Sequence, residues 1–80
     1  MKVRLLAFGI ARDILGTRTE NFELIPGDSV ADLKRALSSK YEMFNALASL
    51  AFAVNEEYVS DDFILQENDE VVLIPPVSGG

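Results

Sequence analysis

The chain has 80 residues, 49% of them hydrophobic and 25% charged, which describes one globular domain with a modest core. It contains no Cys and no His, which excludes disulfides, thiolate chemistry, zinc fingers and Ser-His or Cys-His catalysis. Seven basic residues against thirteen acidic ones give a formal charge of −6, and the scattered cations argue against a nucleic-acid or membrane-surface footprint.

Lys2 to Gly9 reads as a strand. Val3, Leu5 and Ala7 point one way, and Lys2, Arg4, Leu6 and Phe8 point the other. Ile10 to Leu15 is expected to make one or two helical turns, stopped by Gly16. Arg18 to Leu24 alternates around Phe22 and Leu24 and reads as a second strand. Pro26-Gly27-Asp28 is a turn. Ser29 then reads as a helix N-cap, with Asp32 completing a capping-box variant. Val30, Leu33, Ala36 and Leu37 recur at helical spacing, and the helix is expected to end between Ser39 and Tyr41. Met43 to Leu50 reads as a second short helical piece.

Ala51 to Asn55 reads as a strand with Phe52 and Val54 inward. Asn55-Glu56-Glu57 turns the chain, and Tyr58-Val59 pairs back. Asn68-Asp69 is a further turn. Glu70 to Ile74 is nearly all apolar and β-branched, which predicts a central strand covered on both faces. Pro75-Pro76 ends it, because neither proline donates to a ladder. The expected class is α+β: a mixed sheet of about five strands with one main helix on one face. The division expected is a domain over residues 1–74 and a flexible tail over 75–80. The apolar start is too short for a signal peptide, and Arg12-Asp13 closes it with charge. No stretch approaches a membrane span. A soluble, cytoplasmic protein is expected.

The last six residues are Pro-Pro-Val-Ser-Gly-Gly. At about 7% glycine usage, two terminal glycines arise by chance in roughly 0.5% of chains. The context adds to that signal: an apolar strand, a rigid double proline, then glycines. The prolines hold an extended exit. The glycines carry no side chain, so the backbone fits a narrow channel. Such a tail presents the carboxylate of Gly80, which is ionised at neutral pH. A carboxylate is a poor acyl donor until activated, for example as an acyl-adenylate.

The sequence resembles the sulfur-carrying small subunit of molybdopterin synthase, a family of ubiquitin-like β-grasp proteins. The likeness covers nearly the whole chain. At the front it rests on Val3 to Phe8 and on Ala11-Arg12-Asp13-Ile14-Leu15-Gly16. In the middle it rests on Ala53-Val54-Asn55-Glu56-Glu57-Tyr58-Val59. The most specific block is Asp69-Glu70-Val71-Val72-Leu73-Ile74-Pro75-Pro76-Val77-Ser78-Gly79-Gly80. Two departures stand out. Asn68 replaces the usual Gly of the turn, and Asn tolerates left-handed φ better than most residues. Asp13 replaces the commoner Glu.

The resemblance implies a delivery role. An ATP-using enzyme, similar to those that activate ubiquitin, would adenylate Gly80. Sulfur transfer would convert the carboxylate to a thiocarboxylate. The tail Pro75, Pro76, Val77, Ser78 and Gly79 would then carry it into the large subunit of the synthase. There sulfur would pass to cyclic pyranopterin monophosphate and build the molybdopterin dithiolene. The resemblance further implies a 2+2 heterotetramer and a non-catalytic, sulfur-donating role for this chain, which would bind no cofactor or metal itself. It places a docking patch at Phe8, Tyr58 and Ile74, with Arg12 nearby. For Phe8 the alternation points the same way, because Phe8 shares its face with Lys2 and Arg4.

Other functions weighed are a ubiquitin-like modifier joined to lysines through Gly80, a thiamine-pathway sulfur carrier, and a plain interaction domain. The acidic pairs Glu56-Glu57 and Asp61-Asp62 lack the ligand spacing of an EF-hand and read as solvated turns. Ser29 is a cap rather than a nucleophile, because the chain has no His to activate it. Gly9 and Gly16 match no phosphate-loop spacing.

Overall fold

Alternation at the start of the chain produces β1 (Lys2–Ala7) in the computed structural model, which describes residues 1–46 and 50–74. Val3, Leu5 and Ala7 are buried, whereas Lys2 and Arg4 face solvent. Helix α1 (Gly9–Leu15) follows directly and buries Ala11 and Leu15. Gly9 therefore opens a helix instead of closing the strand. Gly16 ends α1 in the left-handed region at φ 78°, and its N–H donates to the Arg12 carbonyl at 2.8 Å. Glycine suits that position because a Cβ is disfavoured there. Strand β2 (Thr19–Glu23) returns antiparallel to β1, with Val3 opposite Phe22.

Helix α2 (Val30–Lys40) is the main helix and starts at a complete capping box. The Asp32 N–H donates to Ser29 Oγ, and the Ser29 N–H donates to Asp32 Oδ2 at 2.8 Å. Two N–H groups that the helix leaves orphaned are thus satisfied reciprocally. Val30, Leu33 and Leu37 form its buried stripe. A 3₁₀ turn over Glu42–Ala46 follows, and the buried Phe44 packs edge-to-face on Tyr41. It realises the first part of the helical piece expected over Met43 to Leu50, of which residues 47–49 lie outside the described residues.

Strand β3 (Ala51–Val54) and strand β4 (Glu57–Tyr58) form a hairpin. Asn55 and Glu56 both have positive φ, at 49° and 75°, as a two-residue type I′ turn requires. Val59 lies beyond β4 but still donates its N–H to the Phe52 carbonyl at 3.2 Å. The last strand is β5 (Glu70–Ile74). Asn68 turns the chain before it at φ 67°, so the replacement of Gly is accommodated as expected.

The sheet order is β2-β1-β5-β3-β4. β1 and β5 run parallel at its centre, and the outer pairs are antiparallel. The core joins the inward residues of the sheet to the buried stripe of α2. This is the α+β, ubiquitin-like β-grasp arrangement.

One expectation is corrected. β5 is central, but only one of its faces is sealed. Val71 and Leu73 are fully buried, while Val72 and Ile74 are only half-buried. The helix covers a single side of the sheet, so the second apolar face of β5 stays open. Ala53 shares the open face with Val72 and is nonetheless buried. It is small and stands between Val72 and Tyr58.

The capping box yields a stability prediction. The Asp32 carboxyl is held below the ordinary carboxylate range, first by the Ser29 N–H and then by the Ser29 hydroxyl and the Arg35 guanidinium, against desolvation. A carboxyl lowered in the folded state stabilises above its ordinary value and loses that contribution as pH falls through the lowered value. In urea denaturation followed across acid pH, Asp32→Asn should flatten the acid limb of the stability curve. Ser29→Ala should cost about 1 kcal/mol at neutral pH.

Candidate functional site

Strand alternation and register together define the open side of the sheet. Residues paired across a ladder share a face. Leu6 is opposite Val72, Val72 opposite Ala53, and Ala53 opposite Tyr58. One apolar row thus crosses four strands. Ile74 and Ala51 form a second row. Phe8 is the residue before α1 and keeps an extended backbone, φ −130° and ψ 157°. It continues the β1 alternation beyond Leu6 and so extends the Ile74 row.

Exposure supports a docking role for these side chains. Tyr58 is 75% exposed and Phe8 51% exposed. Large apolar side chains in such a state, gathered on one face, mark a contact surface more often than isolated ones do. Arg4 and Glu70 border the patch at the β1 start, facing each other at 4.0 Å. That exposed pair contributes about 0–1 kcal/mol. Arg12 lies one helical turn after Phe8, with its N–H directed at the Phe8 carbonyl at 3.4 Å. Its side chain is exposed and takes part in none of the ion pairs among the described residues.

The structure therefore brings Phe8 and Ile74 to one end of the open face and Tyr58 to the next row, with Arg12 beside Phe8. Leu6, Val72 and Ala53 belong to the same face. Leu6 was readable from alternation in β1, but the nearly all-apolar β5 gives no alternation, and nothing in the sequence shows which of its sides a helix leaves bare. Pro75, Pro76, Val77, Ser78, Gly79 and Gly80 lie outside the described residues. What the structure describes is their root: Ile74 ends the central strand, on the open face.

Chemically the face offers apolar side chains. Among the described residues, no group of three or more His, Cys, Asp or Glu is placed to hold a metal. No helix among them is long and apolar enough to cross a membrane. Asp61-Asp62 lies in a turn as expected, whereas Glu56 is in the hairpin turn and Glu57 already belongs to β4; the Lys34 ammonium donates to Asp61 at 2.6 Å.

Comparison with known proteins gives the family and the fold. Residues 5–80 match the model of the ThiS family. The chain is 34% identical, over the full length of both proteins, to a molybdopterin synthase sulfur carrier subunit of Chlamydomonas reinhardtii. Among solved structures it is similar to a putative molybdopterin converting factor, subunit 1, from Pyrococcus furiosus. That likeness has a TM-score of 0.88 and 32% identity, and covers 96% of this chain and 99% of the other. It is also similar to a chain in the complex of subunits 1 and 2 of the molybdopterin-converting factor from Helicobacter pylori. Here the TM-score is 0.70 and the identity 25%, with both chains fully covered. The chain belongs to the ThiS family, among the molybdopterin synthase sulfur carrier subunits.

Proposed function

We propose that this chain is the sulfur carrier of a molybdopterin synthase, delivering sulfur at its own C-terminal carboxyl group. The observation that carries the reading is the continuity of the open apolar face with the central strand that leads into Pro75-Pro76-Val77-Ser78-Gly79-Gly80. A partner that binds the face meets the root of the tail at the end of its central strand. The family match, which extends to residue 80, supports the same reading.

The sequence of events follows from the chemistry of a carboxylate. An activating enzyme uses ATP to convert the Gly80 carboxylate to an acyl-adenylate, which makes the carbonyl electrophilic. A sulfur donor then replaces the adenylate and leaves a thiocarboxylate. Its sulfur is more polarisable and less tightly solvated than oxygen, and so a better nucleophile. Phe8, Tyr58 and Ile74 dock on the large subunit by burying apolar area. Arg12 supplies a guanidinium at the rim, suited to a partner carboxylate. Pro75 to Gly79 form the arm that enters the partner's pocket, where cyclic pyranopterin monophosphate accepts the sulfur. The complex of subunits 1 and 2 from Helicobacter pylori supports a large-subunit partner, and the assembly proposed is a 2+2 heterotetramer in the cytoplasm. The large subunit supplies the acid-base groups, and this chain binds no cofactor.

Two outcomes test the proposal. Incubated with its activating enzyme, ATP and a sulfur donor, the chain should show an oxygen-to-sulfur mass shift confined to Gly80. A variant with one residue appended after Gly80 should show none, while keeping its unfolding midpoint. Sulfur loading of the extended variant would place the reactive group elsewhere.

The docking face is tested separately. Tyr58→Ala should weaken large-subunit binding by about tenfold or more, as anchor residues do. Its stability in urea should change by no more than about 0.5 kcal/mol, because the side chain is mostly in solvent. Unchanged binding measured by calorimetry would remove Tyr58 from the interface.

A further inference from the structure

Asp69 is the one buried charged residue among those described, at 8% exposure. Its Oδ1 accepts from Asn55 Nδ2 at 3.0 Å, and its Oδ2 accepts from the Gln66 N–H at 2.8 Å. Its main-chain carbonyl accepts from the Arg4 N–H at 2.9 Å. Asn55 completes the junction. Its N–H donates to the Glu70 carbonyl at 2.9 Å, and its Oδ1 accepts from the Glu70 N–H at 3.1 Å. Asn55 has a left-handed φ, and the Glu70 N–H bonds its side-chain oxygen in place of a main-chain carbonyl. Asn55 and Asp69 thus tie β1, β5 and the β3–β4 hairpin together at one point.

The hairpin needs this anchor. β4 is two residues long and lies at the sheet edge. Only two ladder pairs join it to β3, with the Val59 N–H bond to Phe52 beyond them. Asn55 opens the turn that carries Tyr58 onto the open face. We propose that Asn55 and Asp69 are positioning residues: their clamp fixes the hairpin on β5, so that Tyr58 and Ile74 present one continuous surface to the partner. The inference rests on the sulfur-carrier reading for the identity of that partner.

The bonding pattern supplies its own test. Asn55→Asp sets two carboxylates against each other at the 3.0 Å contact and removes the donor between them. Asp69→Asn leaves a second amide, whose NH₂ must face either Asn55 Nδ2 or the Gln66 N–H. The double variant Asn55→Asp/Asp69→Asn restores every bond. The carboxylate at position 55 accepts from the Glu70 N–H and from the amide at 69, whose oxygen accepts from Gln66. A leftover buried donor or acceptor is what makes each single change costly.

The experiment uses full-length, thiocarboxylate-loaded chains and the large subunit. It reads KM and kcat for sulfur transfer, and hydrogen exchange at the Val59 amide. Asn55→Asp should raise KM about tenfold with kcat unchanged and speed Val59 exchange by a similar factor, with the double variant returning both to within about twofold of wild type. A lowered melting temperature with unchanged KM would assign the clamp to stability alone and overturn the proposal. A double variant no better than the two single changes combined would also overturn it. If Asn55→Asp does not fold, Asp69→Asn and the double variant carry the same comparison. A wild-type chain that donates no sulfur overturns the carrier reading, and the docking role with it. Val59 exchange unaffected by the single changes overturns the clamp by itself.

Discussion

The structure depends on where its last strand lies. β5 enters the middle of the sheet, parallel to β1 and antiparallel to β3. Its side chains alternate between two faces, and one helix seals only one of them. Val71 and Leu73 disappear beneath α2, while Val72 and Ile74 remain at the open surface. Register makes this arrangement strict, because a slip of one residue would exchange the two sets. The described chain therefore ends at Ile74, on the central strand and at one end of the open apolar face. A docking surface and a tail are coupled by construction.

That coupling explains how so small a chain takes part in chemistry without Cys or His. The domain has to hold a surface and aim an arm. In the proposed function the carboxylate to be activated belongs to the main chain, and the acid-base groups to the partner. Small size then carries little penalty, since two helices, a 3₁₀ turn and five strands suffice to bury Leu5, Leu33, Leu37, Leu73 and their neighbours. The capping box at Ser29 and Asp32 starts that helix cleanly, and Gly16 turns the chain back into β2.

Much of the fold was legible because its signals are local. Alternation in Lys2 to Phe8, helical spacing in Val30 to Leu37, and the Ser29–Asp32 cap each depend on neighbours within a few residues. The open face was only half legible. Four apolar, mostly β-branched residues in β5, Val71 to Ile74, advertise burial, but covering depends on how many helices the rest of the chain supplies. By pattern Val72 and Ile74 therefore read as covered, and Ile74 entered the docking patch only through family likeness. Phe8 was readable through its alternation with Lys2 and Arg4, whereas Tyr58 and Arg12 entered through family likeness. The Asn55–Asp69 junction was invisible. Each residue announces a turn, and only the folded sheet brings the two turns into contact. The tail was legible as composition alone.

The central claim is that the open sheet face presents this chain to its partner. Amide chemical-shift mapping of the full chain with the large subunit tests it most directly. The account predicts large shifts at Leu6, Phe8, Tyr58, Val72 and Ile74, with Lys34, Arg35 and Ser39 on the outer side of α2 unmoved. Shifts confined to α2, or spread evenly with the sheet face silent, would contradict it.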